Sequence, residues 1–175
     1  MPSPLGHALA GLAVHAMVAR RREDLWSLPR LALTVGAAVA PDLDLLLRFV
    51  DGRNHHQMQT HSVGFALIAA VAGAIVARLG GWPRPAGLGT ATGLAWLSHV
   101  LLDYLGEDTH PPIGLMALWP FNSAFFHFPH PIFLDIGRTL EWRTVAHDAL
   151  AALVELALLA PLCFVAWRWR MRRTA

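Results

Sequence analysis

The 175-residue chain contains no lysine, one cysteine and one tyrosine, and only 15% of its residues are charged. Each of these shortages narrows the reading. A lone cysteine, Cys163, excludes an intrachain disulfide framework and a thiolate zinc site. Soluble domains carry about 25% charged residues, so the low charge argues against an ordinary cytosolic enzyme. The formal net charge of +2 is small, and all 14 basic residues are arginines. They stand at the edges of apolar runs, which is a membrane pattern and not a nucleic-acid one. No internal repeat or low-complexity tract is present. What the chain has in excess is apolar residues, 55% of the total, and such a composition must bury its surface, which excludes disorder. Ten histidines in so apolar a chain are the other departure.

Five apolar stretches stand out, at residues 5–19, 31–50, 63–79, 86–105 and 149–167. A spanning helix needs roughly 20 apolar residues, within about 17–25, and the third and fifth stretches fit. The first is short, the second contains Pro41, Asp42, Asp44 and Arg48, and the fourth contains His99 and Asp103. These three predict weaker spans or helices buried against the others. The expected fold is all-α: a single-domain, polytopic membrane bundle of four to five apolar helices over residues 1–175. Arg20, Arg21 and Arg22 follow the first apolar run instead of preceding it, so the start is not an ordinary signal peptide. Between residues 106 and 146, Pro111, Pro112, Pro120, Pro129 and Pro131 alternate with Trp119, Phe121, Phe125, Phe126, Phe128 and Phe133. Aromatic residues favour the headgroup region, so this stretch predicts an external cap on the bilayer surface.

If the chain threads alternately, ten arginines fall on one side: Arg20, Arg21, Arg22, Arg30, Arg78, Arg84, Arg168, Arg170, Arg172 and Arg173. Arg48, Arg53, Arg138 and Arg143 fall on the other. The positive-inside rule makes the ten-arginine side cytoplasmic, with the N-terminus external and the C-terminus in the cytoplasm of a bacterial-type inner membrane.

The polar residues of the apolar runs then collect at the external end. Proline costs about 3 kcal/mol inside a helix but suits a first helical turn. The run Ala40-Pro41-Asp42-Leu43-Asp44 therefore predicts a helix end and a restart, with both carboxylates in the new first turn, where the helix dipole favours their charged forms. A continuous helix would set the two on divergent faces, whereas a break lets both approach one site. His7, His55, His56, His61, His99 and Asp103 lie at the same end, and His110, His127 and His130 lie in the cap. Ionisable groups at membrane depth are expensive and are paired or functional, and the simplest common partner is one divalent ion or several. His99 and Asp103, four apart on a helical pattern, share a face; His56 and His61 are five apart across a loop. Such nitrogen and oxygen ligands suit zinc, manganese or iron. The expected metal ligands are His7, His56, His61, His99 and Asp103, and Asp42 or Asp44 is the candidate for orienting or deprotonating a bound water. His110, His127, His130 and His147 are expected to be interfacial or hydrogen-bonded, His15 to lie outside the site, and Glu155 to have a buried partner. Arg48 and Arg53 are candidates for a substrate phosphate or a lipid headgroup.

Five motifs occur in a distinctive order: Ser3-Pro4-Leu5-Gly6-His7, Ala40-Pro41-Asp42-Leu43-Asp44, His56 with Thr60-His61-Ser62, Ser98-His99-Val100-Leu101-Leu102-Asp103, and Leu118-Trp119-Pro120-Phe121. Together they resemble the YdjM-type membrane-bound metal-dependent hydrolases, over about residues 3 to 125. That family is distantly similar to the zinc-dependent phospholipase C and P1 nuclease superfamily. There a His-x-x-x-Asp supplies a histidine ligand and a bridging aspartate, which would correspond here to His99 and Asp103. The resemblance implies a metal-dependent hydrolase, with zinc the first expectation and manganese the second. The expected substrate is a phosphoester of a membrane lipid or lipid-linked molecule, and no nucleic-acid partner is expected. After Asp103 the chain departs from the pattern: Glu107, Asp108 and His110 precede Pro111, with Thr109 in place of a Thr-containing turn. Two other function classes compete. A transporter using the His/Asp cluster as an ion pathway would show corresponding segments in its two halves, and none is visible. A non-enzymatic metal or cofactor bundle is the other; a haem protein would place two histidines near mid-membrane, not at one end beside carboxylates.

Overall fold

The structure, a computed structural model, describes residues 1–137 and 139–173. Its helices are α1 (Pro4–Val18), α2 (Arg22–Leu25), α3 (Leu28–Val39), α4 (Arg48–Asp51), α5 (Val63–Leu79), α6 (Pro85–Tyr104) and α7 (Trp142–Arg173). A 3₁₀ helix, Ala40–Leu47, joins α3 to α4, and a 3₁₀ turn, Gln59–His61, precedes α5. No strand occurs among the described residues; two isolated bridges, Gly106 with Phe133 and Leu115 with Phe126, tie the segment between α6 and α7.

Local chemistry sets these boundaries. Ser3 caps α1 by accepting the Gly6 N–H at 3.4 Å, and Pro4 takes the first helical position. Ser62 caps α5 by accepting the Phe65 N–H at 3.2 Å. The break expected at Pro41 is present, but the chain restarts as a 3₁₀ helix, and α4 closes at Gly52 with φ 73°, the left-handed conformation glycine adopts freely. Helix α7 begins at Trp142, inside the stretch expected to form the cap, and runs 32 residues. Arg138, which the sequence reading assigns to the external side, lies outside the described residues.

Helix α5 packs on α6, α1 lies between α3 and α7, and α3 and α1 both rest on α6. Small residues make these contacts: Gly73 lies against Thr92, Gly89 against Ala70 and Ala74, and Gly11 against Ala38. The buried interior includes Ala16, Ala38, Ala77, Ala95 and Ala151, while Leu67, Val71, Leu153, Leu162 and Phe164 face outward. Soluble monomers rarely expose apolar surface so contiguously, and close approach through small residues is how helices associate in lipid. Of the four to five spans expected, α7 alone among the described residues is long and apolar enough to cross a membrane; α1 and α5 are apolar but shorter, at 15 and 17 residues.

The two ends of the bundle differ. At one, buried Asp24 pairs with Arg30 at 3.0 Å and Arg84 at 2.8 Å, and Arg170 Nε donates to the Ala16 carbonyl at 3.0 Å. These contacts gather the end of α1, the starts of α3 and α6 and the end of α7. At the other, Glu155 of α7 accepts the Ser3 N–H at 2.5 Å and also the Ser3 hydroxyl, so Glu155 has the buried partner expected of it.

The packing predicts opposite signs for one substitution at two sites. Gly-to-Ala in a helix is ordinarily worth about 0.5–1 kcal/mol of stability. At Gly36 no atom lies within 4 Å of the added Cβ, so Gly36→Ala should raise the Tm of detergent-purified protein. At Gly89 the Cβ would stand 2.5 Å from the Ala70 carbonyl oxygen. Overpacking costs about 1–3 kcal/mol, so Gly89→Ala should lower the Tm; circular dichroism melts distinguish the two.

Candidate metal centre

The polar end draws residues from four parts of the chain: His7 from α1, Asp42 and Asp44 from the 3₁₀ helix, His56 and His61 from the loop before α5, and His99 and Asp103 from α6. His99 and Asp103 stand one turn apart, and the expected shared face is realised, with His99 Nε2 3.0 Å from Asp103 Oδ2. His61 Nε2 lies 3.3 Å from the same oxygen, and His7 Nε2 lies 3.4 Å from Asp103 Oδ1. Asp42 Oδ1 faces His99 Nε2 at 3.5 Å and His61 Nε2 at 3.6 Å. The rings crowd one another as well: His7 stacks on His99 with centroids 3.7 Å apart.

The Nδ1 atoms of His56, His61 and His99 are occupied, which sets the tautomers of these three rings. His99 Nδ1 donates to the Ala38 carbonyl at 2.8 Å. His56 Nδ1 donates to Asp44 Oδ1 at 2.7 Å. His61 Nδ1 stands 3.0 Å from Thr60 Oγ1 and 3.2 Å from Asp44 Oδ2, while Thr60 gives its own proton to Asp44 Oδ2 at 2.6 Å. A neutral imidazole with its proton on Nδ1 presents a bare lone pair at Nε2. The Nε2 atoms of His56, His61 and His99, both nitrogens of His7 and both oxygens of Asp103 are buried without a hydrogen-bond partner. Lone pairs facing carboxylate oxygens at 3.0–3.6 Å repel one another unless a proton or a metal cation stands between them. Ligand atoms of Asp42, His61, His99 and Asp103 all lie within 4.8 Å of one another, so this group can hold a metal ion. The partners of the Nδ1 atoms are of the kind that orient imidazoles in metal sites.

A cleft opens beside the cluster, lined by Pro4, Asp42, Leu45, His56, Asp108 and Asp135. In its rim, burial works against the charge of Asp135, but hydrogen bonds from Thr109 and His147 outweigh it and hold that carboxyl below its ordinary range. The cap segment docks on the start of α5, where the Ala117 and Trp119 carbonyls accept the Val63 and Gly64 N–H groups at 2.9 and 3.0 Å. A Cβ at Gly64 would meet the Trp119 oxygen at 2.7 Å, so this close approach requires glycine.

Residues 1–175 match the family described as YdjM inner membrane protein. The chain belongs to the YdjM family. Comparison with curated proteins and with solved structures gives no match. In this YdjM-family chain the residues singled out from the sequence do not all meet at one point. His7, His61, His99, Asp103 and Asp42 surround the unpartnered atoms. His56 stands outside the tight group, held by Asp44 at 2.7 Å; it lines the cleft and forms a second possible metal-holding group with Asp44 and His61. Asp44 has both oxygens engaged by His56, His61 and Thr60. His15 bonds the Leu25 carbonyl at the arginine-rich end, and His147 and His110 bond Asp135 and Thr109. Two contributors carry no mark as ligands: Thr60, and Trp96, whose Nε1 donates to the Thr60 carbonyl at 2.7 Å. Their signals were adjacency to His61 and a position three residues before His99, on the same helical face.

The arrangement separates ligands from the groups that orient them. His61→Ala or Asp103→Ala should remove bound divalent metal from purified YdjM-family protein without unfolding the bundle. Asp44→Asn should weaken metal affinity by about 10–100-fold and leave the stoichiometry at saturating metal intact. Elemental analysis with competitive chelator titration measures both; equal metal content in wild type, His61→Ala and Asp103→Ala would overturn the ligand set.

Proposed function

We propose that this chain is a multi-pass inner-membrane hydrolase that cleaves a phosphoester of a lipid or lipid-linked substrate, using zinc or, second, manganese. The observation that carries the reading is the convergence of the buried, unpartnered Nε2 atoms of His7, His61 and His99 on the two unpartnered oxygens of Asp103, close to an open cleft. His7, His61, His99 and Asp103 would hold the metal, and Asp42 closes the cluster on the cleft side. A divalent ion held by these residues would supply Lewis acidity, enough to bring the pKa of water from 15.7 toward about 7 and to polarise the scissile group. Asp42 is 20% exposed and accepts the proton of the attacking water; Asp44, with both oxygens occupied, holds His56 and His61 in place. The phosphoester is favoured by the resemblance of His99 and Asp103 to the His-x-x-x-Asp of zinc-dependent phospholipases C. A membrane-resident substrate is favoured by the apolar exterior and by the family itself.

The chemistry is testable in detergent micelles with a lipid-like phosphodiester and added zinc or manganese. Asp42→Asn should slow hydrolysis roughly 10²–10⁴-fold while the His61, His99 and Asp103 side chains still retain metal. Bound metal with no hydrolysis of phosphate or carboxyl esters would instead favour a non-enzymatic metal-binding bundle.

Membrane orientation follows from the arginine distribution. The ten-arginine end is cytoplasmic and the metal centre faces the external side. A reporter fused after Arg173 should read cytoplasmic, and one inserted at Gly52 external. A cytoplasmic signal at Gly52 would move the site, and with it the accessible substrates, to the other compartment.

A further inference from the structure

The 3₁₀ helix that carries Asp42 and Asp44 continues past the site as an apolar ridge. Leu43, Leu46, Leu47, Phe49 and Val50 are all exposed, Phe49 at 85% and Val50 at 83%. Of residues 43–53 only Asp44 is buried. The ridge also carries two exposed guanidinium groups, on Arg48 and Arg53. Among the described residues no carboxylate pairs with either; Asp51, between them, is bound to His55 at 2.6 Å. Exposed leucine, phenylalanine and valine beside free arginines are the composition of a segment lying in a membrane interface. Arginine forks match phosphate oxygens, and their stems can cross the apolar layer beneath. Leu45, on the same 3₁₀ helix, lines the cleft with Asp42 and His56. The apolar ridge and the cleft are therefore continuous.

We propose that residues 43–53 lie among the headgroups and upper acyl chains of a leaflet containing anionic lipid, with Arg48 and Arg53 on lipid phosphates, and that the cleft receives its substrate sideways from that leaflet. The proposal rests on the membrane reading above and names the surface through which the site is reached. An amphiphile whose chains lie against Leu43 and Leu46 can present its polar part to Asp42 without leaving the bilayer.

Nitroxide labels on the full chain test this. In a Cys163→Ser background, Val50→Cys and, separately, Ile68→Cys are labelled and reconstituted in phosphatidylglycerol/phosphatidylethanolamine vesicles. Ile68 lies on the exposed side of α5 and reports the membrane reading by itself. The expected result is that both labels relax with lipid-soluble oxygen and are shielded from a water-soluble nickel chelate. An aqueous Val50 with a lipid-exposed Ile68 overturns the ridge and leaves the membrane reading standing; two aqueous labels overturn both. A Val50 label immobilised and shielded from both reagents means that a second protein copy covers the ridge, which also overturns the proposal. Arg48→Gln with Arg53→Gln should raise nickel access at Val50 at least about twofold in anionic vesicles and leave it unchanged in phosphatidylcholine, because attraction to anionic headgroups is lost. The same response in both lipids overturns the pairing with anionic lipid.

Discussion

Asp103 is buried with neither oxygen hydrogen-bonded, and the Nε2 atoms of His7, His61 and His99 stand 3.0–3.4 Å from it. A carboxylate removed from water and left unpaired costs several kcal/mol or more, so the surroundings of Asp103 must be read as compensation for a charge. What is unusual is how the histidines are prepared. The Ala38 carbonyl and the Asp44 and Thr60 oxygens take the Nδ1 protons, which turns bare nitrogens inward and makes the pocket more negative, not less. A centre whose own hydrogen bonds turn bare nitrogens toward an unpaired carboxylate is suited to a cation.

The rest of the bundle serves this centre through its packing. Alanine and glycine at the helix contacts let α1, α3, α5 and α6 approach closely enough for side chains from four segments to share a few ångströms. Larger residues at those contacts would separate the helices and, with them, the ligands. The bulky apolar residues displaced from the interior lie outside, so close approach within and an oily exterior are two results of one choice of side-chain size.

Much of this was legible in the sequence. Residues 63–79 read as a helix and fold as α5 over the same limits, and Pro41 ends α3 as its missing N–H requires. That His7, Asp42, Asp44, His56, His61, His99 and Asp103 lie at one end followed from the alternating direction of the apolar runs together with the break at Pro41. The differing surroundings of Asp42 and Asp44 were not legible. Both sit in the same turn after the same proline, and only the 3₁₀ path of Ala40–Leu47 sends one toward Asp103 and the other toward the Nδ1 atoms of His56 and His61. His56 carries the same ambiguity, because sequence spacing does not say which ring nitrogen is engaged. Backbone partners such as the Ala38 carbonyl leave no trace in residue identity, and Asp24, central to the arginine-rich end, sits in a stretch that reads simply as charged.

Glu155 belongs to the last helix, yet it grips the backbone and hydroxyl of Ser3 at the very start of α1, one turn before His7. The first candidate ligand in the chain is therefore positioned by a side chain of α7, from the far end of the sequence described. Helices α3 and α6 hold the body of α1, while Glu155 holds its first turn. Helix α7 supplies no residue to the Asp42, His61, His99 and Asp103 group, yet through this clasp a change at residue 155 reaches the candidate site by displacing the start of α1.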